Sequence, residues 1–129
     1  RREFDAARVL LKWNVPSIPV HGWGLSLAPW ARYESVLLMD YLPDCLNARR
    51  YLESKHDLGL KWHFLEGIAR DVTNIYARGY HHNDCHLGNV LVDTDGNRMW
   101  VDNELRRIKG EAEHSSHFEQ TLLEMLLCV

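Results

Sequence analysis

The sequence has no apolar run approaching the ~20 residues that a membrane-spanning helix needs, and no signal-peptide pattern. A cytoplasmic location is expected, with peripheral association as the closest approach to a lipid surface. Positive charge is not in excess. Fifteen Lys and Arg stand against eighteen Asp and Glu, a formal net charge of −3. A pI near 6.2 argues against a nucleic-acid binder that works by neutralising phosphates. Cysteine is scarce and odd in number. Cys45, Cys85 and Cys128 lie far apart, which fits reduced thiols better than a disulfide framework. Internal repeats, low-complexity tracts and a clear linker are also missing. The chain has no leading Met; it begins "RREFDAARVL", already helical in pattern, and stops at the apolar "TLLEMLLCV". A piece of a longer protein, or one that borrows burial from a neighbour, is expected.

What is present suits one globular domain: 129 residues, 46% hydrophobic and 26% charged. Phe4, Ala7, Leu10 and Leu11 recur at helical spacing across 2–13, and Asn14, Pro16 and Pro19 end that helix. The stretch 18–42 reads as two strands around a turn, its "SVLLMDY" an apolar run of the kind buried in a sheet. After Pro43, "CLNARRYLES" reads as a short helix. The longest helix is expected over 58–78, with Leu60, Phe64, Leu65, Ile68, Val72, Ile75 and Tyr76 on one face and Gly79 as its terminator. "NVLVD" and "RMWVD" read as strands around a turn containing Asp95-Gly96, a strong hairpin signal. A last helix is expected from about residue 116 onward, with Phe118, Leu122, Met125 and Leu126 on one face.

Between the long helix and the hairpin lies "YHHNDCHLGN", a polar loop held by regular elements on both sides. Asp84 and Asn89 flank "CHLG", and the hairpin returns Asp102 toward Asn89. An Asn carbonyl and a carboxylate are oxygen ligands that Mg²⁺ accepts when phosphates supply its other positions. A second carboxylate, Asp84, is then free to orient or deprotonate a hydroxyl. A competing use of the same loop is Zn²⁺ on His81, His82, Cys85 and His86, although four-fold closure within six residues is awkward.

His82, Asp84 and Asn89 form H-x-D-x-x-x-x-N, followed by "WVDNE". The pattern resembles the catalytic loop and metal-binding Asp of the protein-kinase-like superfamily. The helix holding Glu3 resembles its αC helix, "VLLMDYLPD" its hinge, and 58–78 its long αE helix. The form "DCHLGN", with His86 two residues after the acid, is similar to lipopolysaccharide kinases of the Kdo and heptose type and to aminoglycoside and choline phosphotransferases. The resemblance implies an α+β, protein-kinase-like fold, mostly the helical C-terminal lobe, with 1–39 as a remnant of the N-terminal β lobe and 40–129 as hinge and C-lobe. It implies ATP and Mg²⁺ as cofactors. Asp84 would accept the substrate proton, His86 would meet the transferred phosphoryl group or the substrate, and His82 would brace the loop. Asn89 and Asp102 would hold Mg²⁺, while Asp40, Tyr41 and Leu42 would offer backbone groups to adenine. Glu3 would belong to the nucleotide grip, with Asp5 as a competitor; the plainer reading is a solvated acid at a helix start.

The superfamily's glycine-rich loop and strand-borne Lys are not in this sequence, and "DNE" departs from Asp-Phe-Gly. The expected activity is therefore phosphorylation of a hydroxyl on a small molecule, lipid or glycan. A catalytically silent kinase-like module is the alternative of a different class, and a protein Ser/Thr kinase fragment is a third. Arg106-Arg107 would meet an anionic substrate or, more commonly, remain a solvated pair.

Overall fold

The computed structural model of the chain describes residues 1–26, 30, 34–110 and 119–123. Helix α1 spans Arg2–Lys12, with Glu3 and Asp5 in its first turn and Lys12 in its last, the charge order its dipole favours. Ala6, Ala7 and Leu10 form its buried stripe. Asn14 then turns left-handed at φ 57, a conformation Asn tolerates better than most residues, and Val15 N–H bonds back to Leu10 at 2.9 Å.

Strands β1 (Val20–Leu25) and β2 (Ser35–Met39) pair antiparallel, with Trp23 opposite Leu37. The expectation that "SVLLMDY" is buried fails. Val36 and Leu38, which share one face of β2, are 65% and 61% exposed. The two strands form a ribbon of their own, and no described element covers that face. The expected helix over 45–54 is also shortened at its start. Leu46–Asn47 forms β3, and α2 begins only at Ala48, where Asn47 Oδ1 caps it by accepting from Arg50 N–H at 3.0 Å.

Helix α3 (Leu58–Tyr76) starts from Asp57, whose Oδ1 accepts from the N–H groups of Gly59 and Leu60. Its stripe of Phe64, Leu65, Ile68, Val72, Ile75 and Tyr76 is buried as its periodicity implies. Leu60 is the exception at 52% exposed; it sits in the first turn, on the rim of a cavity of about 640 Å³ between α3 and a hairpin tip. Gly79, at φ 76, supplies the left-handed residue just past the helix end.

Strand β4 (Tyr80–His82) pairs antiparallel with β7 (Leu105–Arg107), a ribbon the sequence did not announce. The expected hairpin is present as β5 (Val90–Val92) and β6 (Arg98–Trp100), with Val90 opposite Trp100. At its tip Asp93 Oδ1 accepts from the N–H groups of Asp95 and Asn97, and Gly96 takes φ 85. Those bonds, the Asn97 side-chain amide foremost, hold the Asp93 carboxyl below its usual range. β3 adds to the outer edge of β5. On the opposite side of β6, Trp100 N–H donates to Pro16 at 2.8 Å and Ile18 N–H to Trp100 at 3.0 Å. The segment after α1 is thus sewn to the hairpin.

The core runs through all these pieces: Leu10 and Val15, Ala48 and Leu52, the α3 stripe, and Leu87, Val90, Val92 and Trp100. One charged group lies inside it. Asp71, on α3, takes two bonds from Arg98 at 2.7 and 2.8 Å and a third from Trp100 Nε1 at 3.0 Å. Gly67, one turn earlier, makes room for this pair, since a Cβ there would stand 2.6 Å from Arg98 Nη1. Residues 119–123 are helical, and Thr121 Oγ1 lies 3.5 Å from the Tyr76 hydroxyl. The remainder of the expected last helix, with Phe118, Met125 and Leu126, lies outside the described residues. No described helix is long and apolar enough to cross a membrane.

Candidate active site

The polar loop leaves β4 at His82, a buried residue whose ring packs on Trp100 at 5.2 Å between centroids. His82 Nδ1 accepts from Asp84 N–H at 3.3 Å, and Nε2 faces Asn103 Oδ1 at 3.2 Å. Burial pushes the His82 pKa down, against the bond to Asn103 and the pull of the nearby Asp84 and Asp102 charges. A neutral ring fits its use as donor on one side and acceptor on the other.

His86 opens the 3₁₀ turn Leu87–Asn89, with Nδ1 accepting from Gly88 N–H at 3.0 Å. The ring is drawn so close that a Cβ at position 88 would lie 2.7 Å from His86 Cε1. With Nδ1 committed as an acceptor, Nε2 is the nitrogen that carries a hydrogen, and it stands 3.4 Å from Asp84 Oδ2. Asn89 lies at the end of the same turn. Its Nδ2 donates to the Asp84 backbone oxygen at 3.0 Å and to Asp84 Oδ2 at 2.9 Å. Neither of those atoms can donate, so the amide orientation is fixed and Asn89 Oδ1 is turned away. Asp84 Oδ1 accepts from no described residue, and the side chain is 57% exposed.

Val101 N–H bonds to the Asn89 carbonyl at 2.9 Å, which brings the residue after it to the loop. That residue, Asp102, has φ 54, a left-handed conformation that is strained outside glycine, asparagine and aspartate. Asp102 is exposed, and among the described residues it has no hydrogen bond or ion pair. Its charge acts on His82 and on Glu3 of α1. Asp84, His86 and Asn89 are therefore in mutual contact, and Asp102 lies near enough for its charge to act on both His82 and Glu3.

Asp40, Tyr41 and Leu42 follow β2 and share no hydrogen bond with the polar loop among the described residues. Asp40 N–H donates to Pro19 at 3.0 Å, its carboxylate meets His21, and Tyr41 is almost fully exposed. Asp5 pairs with Arg1 at 3.5 Å on the open side of α1. Arg106 Nη2 lies 3.3 Å from Glu104, and Arg107 is exposed. Sequence reasoning missed Asn103, Ser17 and Asp71. The left-handed turn at Asp102 breaks the strand alternation just before Asn103, so no periodicity marks that residue as buried.

The donor set fits a hard cation sharing its ligands with phosphates. Among the described residues no three of His, Cys, Asp or Glu stand where they could hold a metal unaided. Asn89 Oδ1 and the Asp102 carboxylate are two open oxygen ligands, and Mg²⁺ commonly draws its remaining ligands from phosphate and water. For Zn²⁺ the fit is poor, because both nitrogens of His82 and Nδ1 of His86 are already engaged.

Burial, with the neighbouring Asp102 charge, pushes the Glu3 carboxyl up. A group whose folded pKa is raised contributes stability that is present below its unfolded pKa and lost as pH rises through the folded one. Ionised Glu3 is thus a cost at neutral pH. Glu3→Gln is expected to raise the melting temperature near pH ~7, with the gain vanishing near pH ~4, where Glu3 is itself protonated. Thermal unfolding at both values checks this, and an equal gain at both would show that charge is not the cause.

No protein-family model matches the sequence, and no curated protein matches it. Among solved structures the chain is similar to WaaP in complex with acyl carrier protein, with a TM-score of 0.74 and 19% identity. The likeness covers 100% of this chain and 58% of that one. The fold the two share is kinase-like, a mixed α/β arrangement with small sheets.

Proposed function

Proceeding from that shared fold, we propose that the chain is the catalytic part of an ATP- and Mg²⁺-dependent phosphotransferase acting on a hydroxyl of a small molecule, lipid or glycan, a lipopolysaccharide core sugar among them. The observation that carries this reading is the Asp84–Asn89 contact. Asn89 pins Asp84 through two bonds from one nitrogen, and that leaves Asn89 Oδ1 and Asp84 Oδ1 both open. One is suited to a cation, the other to a hydroxyl.

Asp84 receives the acceptor hydroxyl on Oδ1, orients its oxygen for in-line attack, and takes its proton as the new P–O bond forms and the bond to the leaving phosphate breaks. His86 Nε2–H, beside Asp84 Oδ2, is placed to donate to a phosphoryl oxygen or to the acceptor. Asn89 and Asp102 would hold Mg²⁺, which bound with the nucleotide would supply charge neutralisation to its phosphates. The left-handed backbone at Asp102 fixes where its carboxylate emerges. Glu3, whose carboxyl feels the Asp102 charge, is suited to a cationic partner that would relieve its repulsion. Backbone groups over 41–42 would meet the adenine edge. Because the chain spans 58% of the WaaP chain, the activity is sought in the protein with its flanking segments as well as in this chain.

Calorimetry with ATP, with and without Mg²⁺, is the test. Binding is expected to need the cation and to weaken at least tenfold in Asp102→Ala, about 1.4 kcal/mol. Binding indifferent to both Mg²⁺ and Asp102, or none with the flanking segments present, would sink the enzyme reading in favour of a kinase-like module without turnover.

A further inference from the structure

A line of hydrogen bonds runs under the candidate site, from Asp84 to the segment after α1, and every bond in it points the same way. Asp84 N–H donates to His82 Nδ1 at 3.3 Å, and His82 Nε2 faces Asn103 Oδ1 at 3.2 Å. Asn103 Nδ2 donates to Ser17 Oγ at 2.9 Å and to the Trp100 carbonyl at 3.2 Å. Ser17 Oγ in turn donates to the Ile18 carbonyl at 3.4 Å. Ser17, His82 and Asn103 are all buried, at 4%, 4% and 1% exposure.

Both ends of this line have fixed polarity. A backbone N–H can only donate, so at the Asp84 end His82 Nδ1 must offer its lone pair. A backbone carbonyl can only accept, so at the Trp100 end Asn103 must turn its nitrogen that way and its oxygen toward His82. The hydrogen of a neutral His82 then has one place, Nε2. Burial, which holds the ring neutral, preserves that choice. Reversing any member would set two donors or two acceptors against each other inside the core, at the cost of an unsatisfied buried group.

We infer that Asn103 is a positioning residue: it sets the His82 tautomer, and through it the backbone of Asp84, so that the loop acid is held by a polar relay anchored at Ser17. This deepens the phosphotransferase reading and rests on it for its kinetic consequence only. Asn103 makes no side-chain bond to Asp84, Asn89 or Asp102, and the contact by which its side chain reaches the loop is His82. Its chain neighbour Asp102 belongs to the proposed cation site, so an effect by that route would show in nucleotide affinity.

The test reads the tautomer directly, by long-range ¹⁵N–¹H correlation NMR on histidine-labelled protein. In the unmutated chain His82 is expected as the Nε2–H form, with Nδ1 unprotonated; an Nδ1–H ring there overturns the relay with no variant needed. Asn103→Leu, which has similar shape and no acceptor, leaves Nε2–H unsatisfied in the core and is expected to populate the Nδ1–H form at the expense of the long Asp84 N–H bond. Asn103→Asp, which returns an oxygen to His82, is expected to restore Nε2–H. An unchanged tautomer in Asn103→Leu refutes the inference. In active protein the leucine variant should lower kcat on the order of 10²-fold at nearly constant nucleotide KM, as a small misplacement of a reacting group does, and the aspartate variant should recover part of it. A fall in nucleotide affinity instead would make Asn103 merely structural. If no phosphotransfer is found at all, the kinetic arm falls with the proposed function while the tautomer arm still decides the relay.

Discussion

Asp84→Asn is expected to lower kcat by roughly 10²–10⁴-fold, the usual worth of a positioned general base, with the nucleotide KM nearly unchanged. The amide has the size of the carboxylate and can still accept from Asn89 Nδ2, so the loop should keep its shape. What is lost is the charge and basicity of the oxygen that no described residue engages. Nucleotide affinity should survive, because the proposed cation ligands are Asn89 and Asp102. Asn89→Ala should differ in kind. It removes both the pin on Asp84 and a cation ligand, so KM and kcat should worsen together. Steady-state kinetics on the protein with its flanking segments distinguishes the two patterns. An Asp84→Asn enzyme with full kcat would show that the acceptor hydroxyl loses its proton elsewhere, and the assignment of Asp84 would have to be abandoned.

The parts of this site that were legible in the sequence are those whose geometry is local. Asp84, His86 and Asn89 fall within six residues, and a 3₁₀ turn brings them together without help from the rest of the chain. Asp102 was legible one step further out, because a two-strand hairpin with an Asp-Gly tip returns its end to its beginning. The long helix was legible from its stripe. The register of burial was less so. The run Ser35–Met39 has the composition of a buried strand, yet composition does not say whether a second layer is there to cover it. Leu60 keeps the helical period and is still half-exposed, because a cavity rather than a packed partner lies against the first turn of α3. The relay was not legible at all. Asn103 and Ser17 are 86 positions apart, and their bond exists only because the segment after α1 lies along β6. An Asn after an Asp reads as one more polar loop residue until that neighbour is known.

The same reasoning assigns a large structural effect to Asp71, which looks in the sequence like a polar interruption of the α3 stripe. Asp71→Ala is expected to destabilise the fold by about 3–5 kcal/mol, the usual cost of removing one partner from a buried ion pair. Two groups lose their acceptor at once. Arg98, whose side chain is 27% exposed, recovers part of its loss by turning to water. Trp100 Nε1 does not, because the indole is fully buried and Asp71 is its acceptor. The melting temperature should fall by roughly 10 °C or more for a chain of this size. Asp71→Asn is the informative comparison. Its side-chain oxygen can accept from the indole, while the guanidinium loses its counter-charge, so its loss isolates the ionic share. The indole share has a functional side, since the Trp100 ring is the surface on which His82 rests. If the packing of Trp100 steadies the loop, Asp71→Ala should broaden the His82 resonances well below its melting temperature, and Asp71→Asn should leave them sharp. Equal sharpness in both would confine Asp71 to holding α3 against the hairpin and would leave the loop to its hydrogen bonds alone.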